Sequence, residues 1–237
     1  MKKLNIPVGI SDFEKIRNGG FYYIDKSGLI TEILDEKAEV TLITRPRRFG
    51  KTLGMSMLES FFDIRKDSKE LFDGLEIAEH QVLCDEWMNQ YPTVFVSFRQ
   101  VDGLDFTGAY DMLTMVIADL YNKHLYLLDS KSATEFQKTA FEHLAHGNGS
   151  IKEVKSSLML LTTMMQSYYA KPVILLIDEY DVPVAKANNN GYSSGRKRSG
   201  TRNGKIPGSS VVSAQTKHLY AGSTGQAEIE RFRRFSD

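Results

Sequence analysis

Apolar residues along the first 180 positions fall into two alternating patterns, helical spacing and short continuous runs. Helical spacing predicts helices from Leu29 to about Asp35, over residues 53–62, over residues 106–127 and from Ile151 to Tyr169. Short runs predict strands at Phe21–Ile24, Val40–Thr44, Tyr91–Phe98 and Pro172–Ile177. Solid apolar strands that alternate with helices indicate an α/β fold around a mainly parallel sheet.

This pattern stops near residue 190, where the composition and the charge also change. Residues 191–237 carry nine Lys+Arg against three Asp+Glu, a net charge of +6, and the rest carries 21 against 27, a net charge of −6. The same tail holds seven of the 18 glycines, and its apolar residues follow neither a helical nor a strand period. We therefore expect a folded unit over residues 1–190 and a basic, Gly/Ser-rich, disordered tail over residues 191–237.

The whole-chain composition excludes several classes of protein. The 237 residues balance 30 Lys+Arg against 30 Asp+Glu, which removes the simplest electrostatic case for a nucleic-acid or membrane partner. The single cysteine, Cys84, cannot form an internal disulfide. The longest unbroken apolar run, Val173 to Ile177, is far shorter than the ~20 residues that span a bilayer. No secretory signal follows Lys2 and Lys3, so the expected location is the cytoplasm.

The sharpest chemical signal is Gly50-Lys51-Thr52, which lies between a predicted strand and a predicted helix. Glycine lets a backbone approach phosphates closely, and the helix N-terminus that follows supplies free N–H groups for negative charge. In a phosphate loop, Lys51 contacts the β- and γ-phosphates and the Thr52 hydroxyl ligates Mg²⁺. Such a tripeptide also arises by chance in roughly one chain in ten of this length, so context decides its meaning.

Two features of the context bear on this site. The first glycine of the pattern G-x-x-x-x-G-K-[ST] is replaced by Arg45, with Pro46 after it, which leaves the loop geometry open. The predicted strand Pro172–Ile177 runs into Asp178 and Glu179. In phosphate-loop ATPases an aspartate at such a strand end holds Mg²⁺ and a neighbouring glutamate polarises the attacking water. The alternative is a strand that ends in solvated carboxylates.

Seven segments spread over nearly all of residues 5–190 carry a family resemblance. They are IPVGISDF (Ile6–Phe13), FYYIDKSGLI (Phe21–Ile30), LITRPRRFGKTL (Leu42–Leu53), LESFFD (Leu58–Asp63), LFDGLEI (Leu71–Ile77), VFVSF (Val94–Phe98) and LLIDEYDVPV (Leu175–Val184). With them the chain resembles the N-terminal part of bacterial AAA-ATPase-like proteins, which usually carry a PD-(D/E)XK nuclease-like domain downstream. Arginine in place of the first glycine is itself the family's form of the loop.

The resemblance implies a fold, ligands and site residues. The fold is a P-loop NTPase-like three-layer sandwich with a mainly parallel sheet, and the ligands are ATP and Mg²⁺. The implied roles are Glu179 as the catalytic residue, Thr52 and Asp178 at the metal, and a nucleotide-binding loop made of Arg45, Pro46, Arg47, Arg48, Phe49, Gly50, Lys51, Thr52 and Leu53. Contact with nucleic acid is implied only through the downstream nuclease-like domain. Neither the residues nor the resemblance indicates an oligomeric state.

Two interpretations remain open for several other residues. Arg45, Arg47 and Arg48 either contact phosphate or are solvated loop residues. Tyr23, Asp25 and Lys26 match a family motif, and a half-buried strand end explains them equally well.

The tail does not provide the strand that this ATPase plan requires. In such proteins the strand after the Asp-Glu strand lies between it and the phosphate-loop strand. Residues 205–235 offer only Val211-Val212 and Leu219-Tyr220 for it. We hypothesise that residues 191–237 are not the family's native continuation, as a frameshift or gene fragment would produce, which would leave the sandwich incomplete at the C-terminus. The other two reading frames of the coding DNA test this idea, which fails if neither restores a strand-and-helix pattern.

Two functions follow from the sequence. The first is an ATP-binding domain with Mg-dependent binding and hydrolysis to ADP and phosphate. The second is a non-hydrolysing remnant or regulatory module that acts through protein or nucleic-acid contacts. Steady-state phosphate release distinguishes them.

Overall fold

The structure is a computed structural model that describes residues 5–43, 49–102 and 105–180. Its α-helices are α1 (Phe13–Asn18), α2 (Gly28–Glu36), α3 (Lys51–Phe62), α4 (Gln81–Trp87), α5 (Phe106–Asn122), α6 (Glu135–Ala145) and α7 (Ile151–Tyr169). Its strands are β1 (Thr93–Ser97) and β2 (Ile174–Asp178), and 3₁₀ turns cover Lys69–Phe72, Glu76–Glu79 and Leu125–Asp129. Among the described residues, no helix is both long and apolar enough to cross a membrane.

The two strands form a small parallel sheet with helices on both faces. Thr93 pairs with Ile174 at one end of the ladder, and Ser97 pairs with Asp178 at the other. Since successive strand residues face opposite ways, Val94 and Val96 pack into a core with α5, α6 and α7. Phe95 packs on the other face, in a second core with α1, α2 and α3. The described residues therefore form a mixed α/β arrangement, as the alternation of patterns predicted.

Local sequence explains where the helices begin. Asp12 and Asp105 cap α1 and α5 by accepting hydrogen bonds from the backbone amides of Lys15 and Gly108. Capping boxes start α6 and α7, each with a Thr or Ser at the cap and a Gln or Glu three residues later. The apolar stripe of each helix then faces one of the two cores, which hold the helices against the sheet.

Two predicted strands are wrong over the described residues. Residues 21–24 lie outside any strand and form no ladder. The Phe21 amide donates to the Ile16 carbonyl and the Tyr22 amide to the Asn5 carbonyl. Residues 40–43 of the predicted Val40–Thr44 strand are also outside any strand, and Val40 and Leu42 are 47% and 54% exposed instead of buried. A strand needs a partner that accepts its hydrogen bonds, and β1 and β2 pair only with each other in the part described.

Five of the remaining elements lie where the sequence predicted them, one ends earlier than predicted, and three helices were not predicted. α2, α3, α7, β1 and β2 lie where predicted, and α5 ends at Asn122, five residues before the predicted end at 127, with a 3₁₀ turn following. The helices α1, α4 and α6 were not predicted. The expected boundary at residue 190, the tail 191–237 and the strand sought at residues 205–235 lie outside the described residues.

A buried histidine makes the fold sensitive to acid. His124 is 1% exposed, and its Nδ1 lies 3.3 Å from Nη1 of Arg65. Burial, and then the Arg65 guanidinium, lower the pKa of His124 from 6.5 to about 3. The unfolded chain takes up this proton below about pH 6.5 and the folded chain does not, so stability is lost as the pH falls from 6.5 towards 3.

We therefore expect the free energy of unfolding to fall by about 2 kcal/mol from this group between pH 7 and pH 5. Urea unfolding curves at both pH values measure the loss. His124→Gln should remove this part of the pH dependence, while the control His146→Gln, at an exposed position, should keep it. An unchanged pH dependence in His124→Gln would contradict the assignment.

Candidate functional site

Among the described residues, no side chain caps the backbone N–H groups in the first turn of α3. Gly50 precedes the helix with φ of 77°, a left-handed conformation that glycine adopts without strain. Because glycine has no side chain, no side-chain oxygen caps α3 from this position. The Gly50 carbonyl accepts the first helical bond, from the Gly54 amide at 2.8 Å. Among the described residues the amides of Lys51, Thr52 and Leu53 have no hydrogen-bond partner, and they lie at the positive end of the helix dipole.

Asp178 lies beside this turn because β2 ends there. The residue is 0% exposed, and its Oδ2 accepts a hydrogen bond from Oγ1 of Thr52 at 2.9 Å. The same oxygen accepts from Oγ of Ser97, 3.2 Å away at the end of β1. Its other oxygen, Oδ1, is buried and has no partner among the described residues. A buried carboxylate oxygen without a partner is costly, so this side of Asp178 is suited to a cation or to water held by one.

Glu179 and Lys51 form an ion pair at the edge of the same site. Oε2 of Glu179 lies 3.7 Å from Nζ of Lys51, and the two side chains are 31% and 25% exposed. Glu179 has φ of 53°, which turns the chain sharply at the end of β2. A left-handed conformation at a non-glycine residue costs free energy, and here it brings the carboxylate to the loop lysine.

The structure brings together five of the eleven site residues that the sequence predicted. Gly50, Lys51, Thr52, Asp178 and Glu179 meet where α3 begins and β2 ends. Phe49 precedes them with a side chain that is 61% exposed. The Leu53 side chain packs into the core with α1 and α2, so only its backbone can contribute to binding. Arg45, Pro46, Arg47 and Arg48 lie outside the described residues.

Two polar residues at the site were not assigned a role from the sequence. Ser97 holds Asp178, and its position at the carboxyl end of an apolar strand, as with Asp178, could have indicated this. Nζ of Lys26 donates to the Phe49 carbonyl at 3.0 Å. From the sequence, Lys26 was either part of a family motif or a residue at a half-buried strand end. Residues 21–24, just before it, form no strand.

The part of the chain that the structure describes contains no metal cage built from protein side chains alone. Across the described ranges, no group of three or more His, Cys, Asp or Glu side chains could hold a metal ion. The arrangement instead offers one hydroxyl and one carboxylate, from Thr52 and Asp178. Mg²⁺ is commonly bound in this way, by few protein ligands together with phosphates and water.

The described residues thus combine a small parallel sheet flanked by helices with a Gly-Lys-Thr helix start that lies against an Asp-Glu strand end. The chain belongs to the AAA-ATPase_like family, which is described as predicted AAA-ATPase and whose model matches residues 7–203. The matched range passes the domain boundary expected at residue 190. The downstream nuclease-like domain stays a prediction from the resemblance.

A curated relative is similar to most of the chain. It is a protein of Azotobacter chroococcum mcd 1 described as an uncharacterized protein in the vnfD 5'region, 28% identical over 191 residues. The alignment covers 78% of this chain and 30% of the relative, so the chain spans about a third of that protein. No solved structure matches the chain.

Proposed function

We propose that the chain is a P-loop domain that binds ATP with Mg²⁺ at the junction of α3 and β2 and hydrolyses it to ADP and phosphate. The observation that carries the proposal is the buried carboxylate of Asp178. One of its oxygens is held by Thr52 and Ser97, and the other has no partner among the described residues. This half-satisfied carboxylate lies beside an uncapped helix start.

The phosphates of the nucleotide would bind at the first turn of α3. The amides of Lys51, Thr52 and Leu53, which have no partner among the described residues, would donate to phosphate oxygens, and Gly50 leaves room for their approach. Lys51 adds a positive charge and would exchange its contact with Glu179 for one with the terminal phosphates. Arg45, Pro46, Arg47, Arg48 and Phe49 complete the proposed loop.

Thr52 and Asp178 would hold the magnesium ion. The Thr52 hydroxyl and the Asp178 carboxylate both offer hard oxygen ligands. Oδ1 of Asp178, which has no partner among the described residues, would supply negative charge for the ion or for a water molecule bound to it. When bound, the ion neutralises negative charge on the phosphate oxygens. Ser97 would keep the carboxylate oriented through its hydrogen bond to Oδ2.

Glu179 is the proposed general base. Its carboxylate would accept a proton from water as the water oxygen bonds to the terminal phosphorus and the bond from that phosphorus to the ADP oxygen breaks. The products are ADP and inorganic phosphate. The 3.7 Å contact with Lys51 supports this role, because it places the carboxylate next to the lysine that binds the terminal phosphate.

The fold proposed for this function is the three-layer P-loop sandwich. Support comes from the parallel pairing of β1 with β2 and from the two cores on opposite faces of the sheet. The described residues contain two strands, so the remaining strands of the sandwich are part of the proposal.

The proposal is tested by titrating the full chain with ligands that differ in phosphate number. Calorimetry with Mg·ATP, Mg·ADP, AMP and adenosine should give affinities that rise with each phosphate. We expect Mg·ATP to bind at least about tenfold more tightly than AMP, since each charge-assisted hydrogen bond contributes ~1.5–3 kcal/mol. Equal affinities across the series, or no binding of Mg·ATP, would contradict the proposal.

A further inference from the structure

The segment Asp25–Ser27 is clamped to the 3₁₀ turn Glu76–Glu79. Asp25 accepts hydrogen bonds from the backbone amides of Ser27 and Glu76, both at 2.8 Å. Ser27 is 0% exposed, and its Oγ accepts from the Ile77 amide at 3.1 Å. Burial alone would raise the pKa of Asp25, yet these amide bonds lower it below its usual value. The backbone that carries Lys26 is thus fixed on both sides.

Lys26 extends from this fixed segment to Phe49, the residue before the helix cap Gly50. Its Nζ donates to the Phe49 carbonyl at 3.0 Å and lies 3.2 Å from where a Cβ on Gly50 would be. A hydrogen bond from a charged group is stronger than one between neutral groups. The bond therefore restrains the Phe49 carbonyl, and with it the peptide plane that leads into the left-handed Gly50.

The surroundings of Lys26 argue against a direct contact with phosphate. Lys26 lines a cavity of about 350 Å³ together with three carboxylates, Glu32, Asp35 and Glu76. Negative potential from three acidic groups disfavours a polyanion on that side. Lys26 is bonded to the carbonyl of Phe49, while the first amides of α3 follow Gly50 along the chain.

We propose that Lys26 is a positioning residue for the phosphate loop, holding the Phe49–Gly50 turn so that the first amides of α3 stay aimed at the phosphates. This inference rests on the proposed function, since it concerns the same nucleotide site. Lys26 itself touches neither nucleotide nor metal. Its effect on binding therefore passes through the backbone conformation at Gly50.

The test compares Lys26→Met, Lys26→Arg and the control Lys152→Met, an exposed lysine in the first turn of α7. Calorimetry should show that Lys26→Met binds Mg·ADP about tenfold more weakly, the effect of one hydrogen bond from a charged group. Lys26→Arg keeps a cationic donor and should recover most of the affinity, and Lys152→Met should equal the unmodified chain. Adenosine binding, which needs no phosphate contact, should be the same in all four proteins.

Hydrogen exchange without nucleotide gives an independent readout. Peptides covering residues 49–58 should exchange at least about threefold faster in Lys26→Met, while peptides covering 151–169 should not change. Unchanged exchange at 49–58, or unchanged Mg·ADP affinity in Lys26→Met, would overturn the role of Lys26. If the unmodified chain fails to bind Mg·ADP, the proposed function falls and takes the binding role of Lys26 with it, and the exchange rates still decide whether Lys26 orders the loop.

Discussion

Replacing Glu179 by Gln is expected to lower the rate of ATP hydrolysis by about two to three orders of magnitude. A positioned general base typically contributes 10²- to 10⁴-fold to a rate, and Gln retains the shape of Glu without its ability to accept a proton. The carboxylate lies next to Lys51, so the change acts at the reacting end of the proposed site.

The same substitution should leave nucleotide binding intact or make it slightly stronger. In the free protein Lys51 contacts Glu179 at 3.7 Å, and this contact must loosen before Lys51 binds phosphate. An ion pair this exposed contributes ~0.2–1 kcal/mol, so its loss should tighten Mg·ATP binding by at most about fivefold. A rate that falls while affinity holds separates a catalytic role from a general loss of structure.

Steady-state phosphate release at saturating Mg·ATP measures the rate, with calorimetry for the affinity. Glu135→Gln is the matched control, because this glutamate is 93% exposed on α6. The control should hydrolyse ATP at the rate of the unmodified chain. Equal rates in Glu179→Gln and the control would remove Glu179 from the role of base.

The sequence was informative about the site where candidate binding residues lie at the end of a predicted strand or at the start of a predicted helix. Pro172–Ile177 is a solid apolar run that ends in Asp178, and the structure places β2 and its buried aspartate there. Gly50-Lys51-Thr52 was likewise found at a helix start. These features are local, because they depend on residue type and on neighbours along the chain.

The predicted Val40–Thr44 strand shows where a local pattern is insufficient. Its residues have high strand propensity, but propensity produces a strand only beside a partner. Over residues 40–43 the structure provides none. The missed helix α6 is the opposite case, because its stretch is largely polar. Its signal was the capping box of Thr134 and Gln137, followed by the buried pair Ala140 and Phe141.

Contacts between distant residues were beyond the sequence. Lys26 reaches Phe49 from a segment that Asp25 and Ser27 hold on the turn at residues 76–77. No spacing along the chain encodes such an arrangement, since it depends on how three separate segments pack. The hydrogen bond from Ser97 to Asp178 was easier to anticipate from the sequence. Both residues lie at the ends of apolar strands that are typical of a buried parallel sheet.

Lys51 is the residue on which the proposed phosphate contacts depend most. A lysine ammonium bonded to phosphate contributes ~1.5–3 kcal/mol, so Lys51→Ala is expected to weaken Mg·ATP binding by about 10- to 100-fold. A second effect of this substitution also weakens Mg·ATP binding. Without the ammonium that lies 3.7 Å from Glu179, the carboxylate would face the phosphates directly, and like charges repel.

Calorimetric titration of the full chain with Mg·ATP, beside Lys51→Ala and the control Lys152→Ala, tests most directly whether phosphates bind at the start of α3. Lys152 is an exposed lysine in the first turn of another helix, α7, so its removal changes the net charge equally without touching the site. We predict that the unmodified chain and Lys152→Ala bind with equal affinity and that Lys51→Ala binds at least about tenfold more weakly. Equal binding by all three proteins would contradict the site.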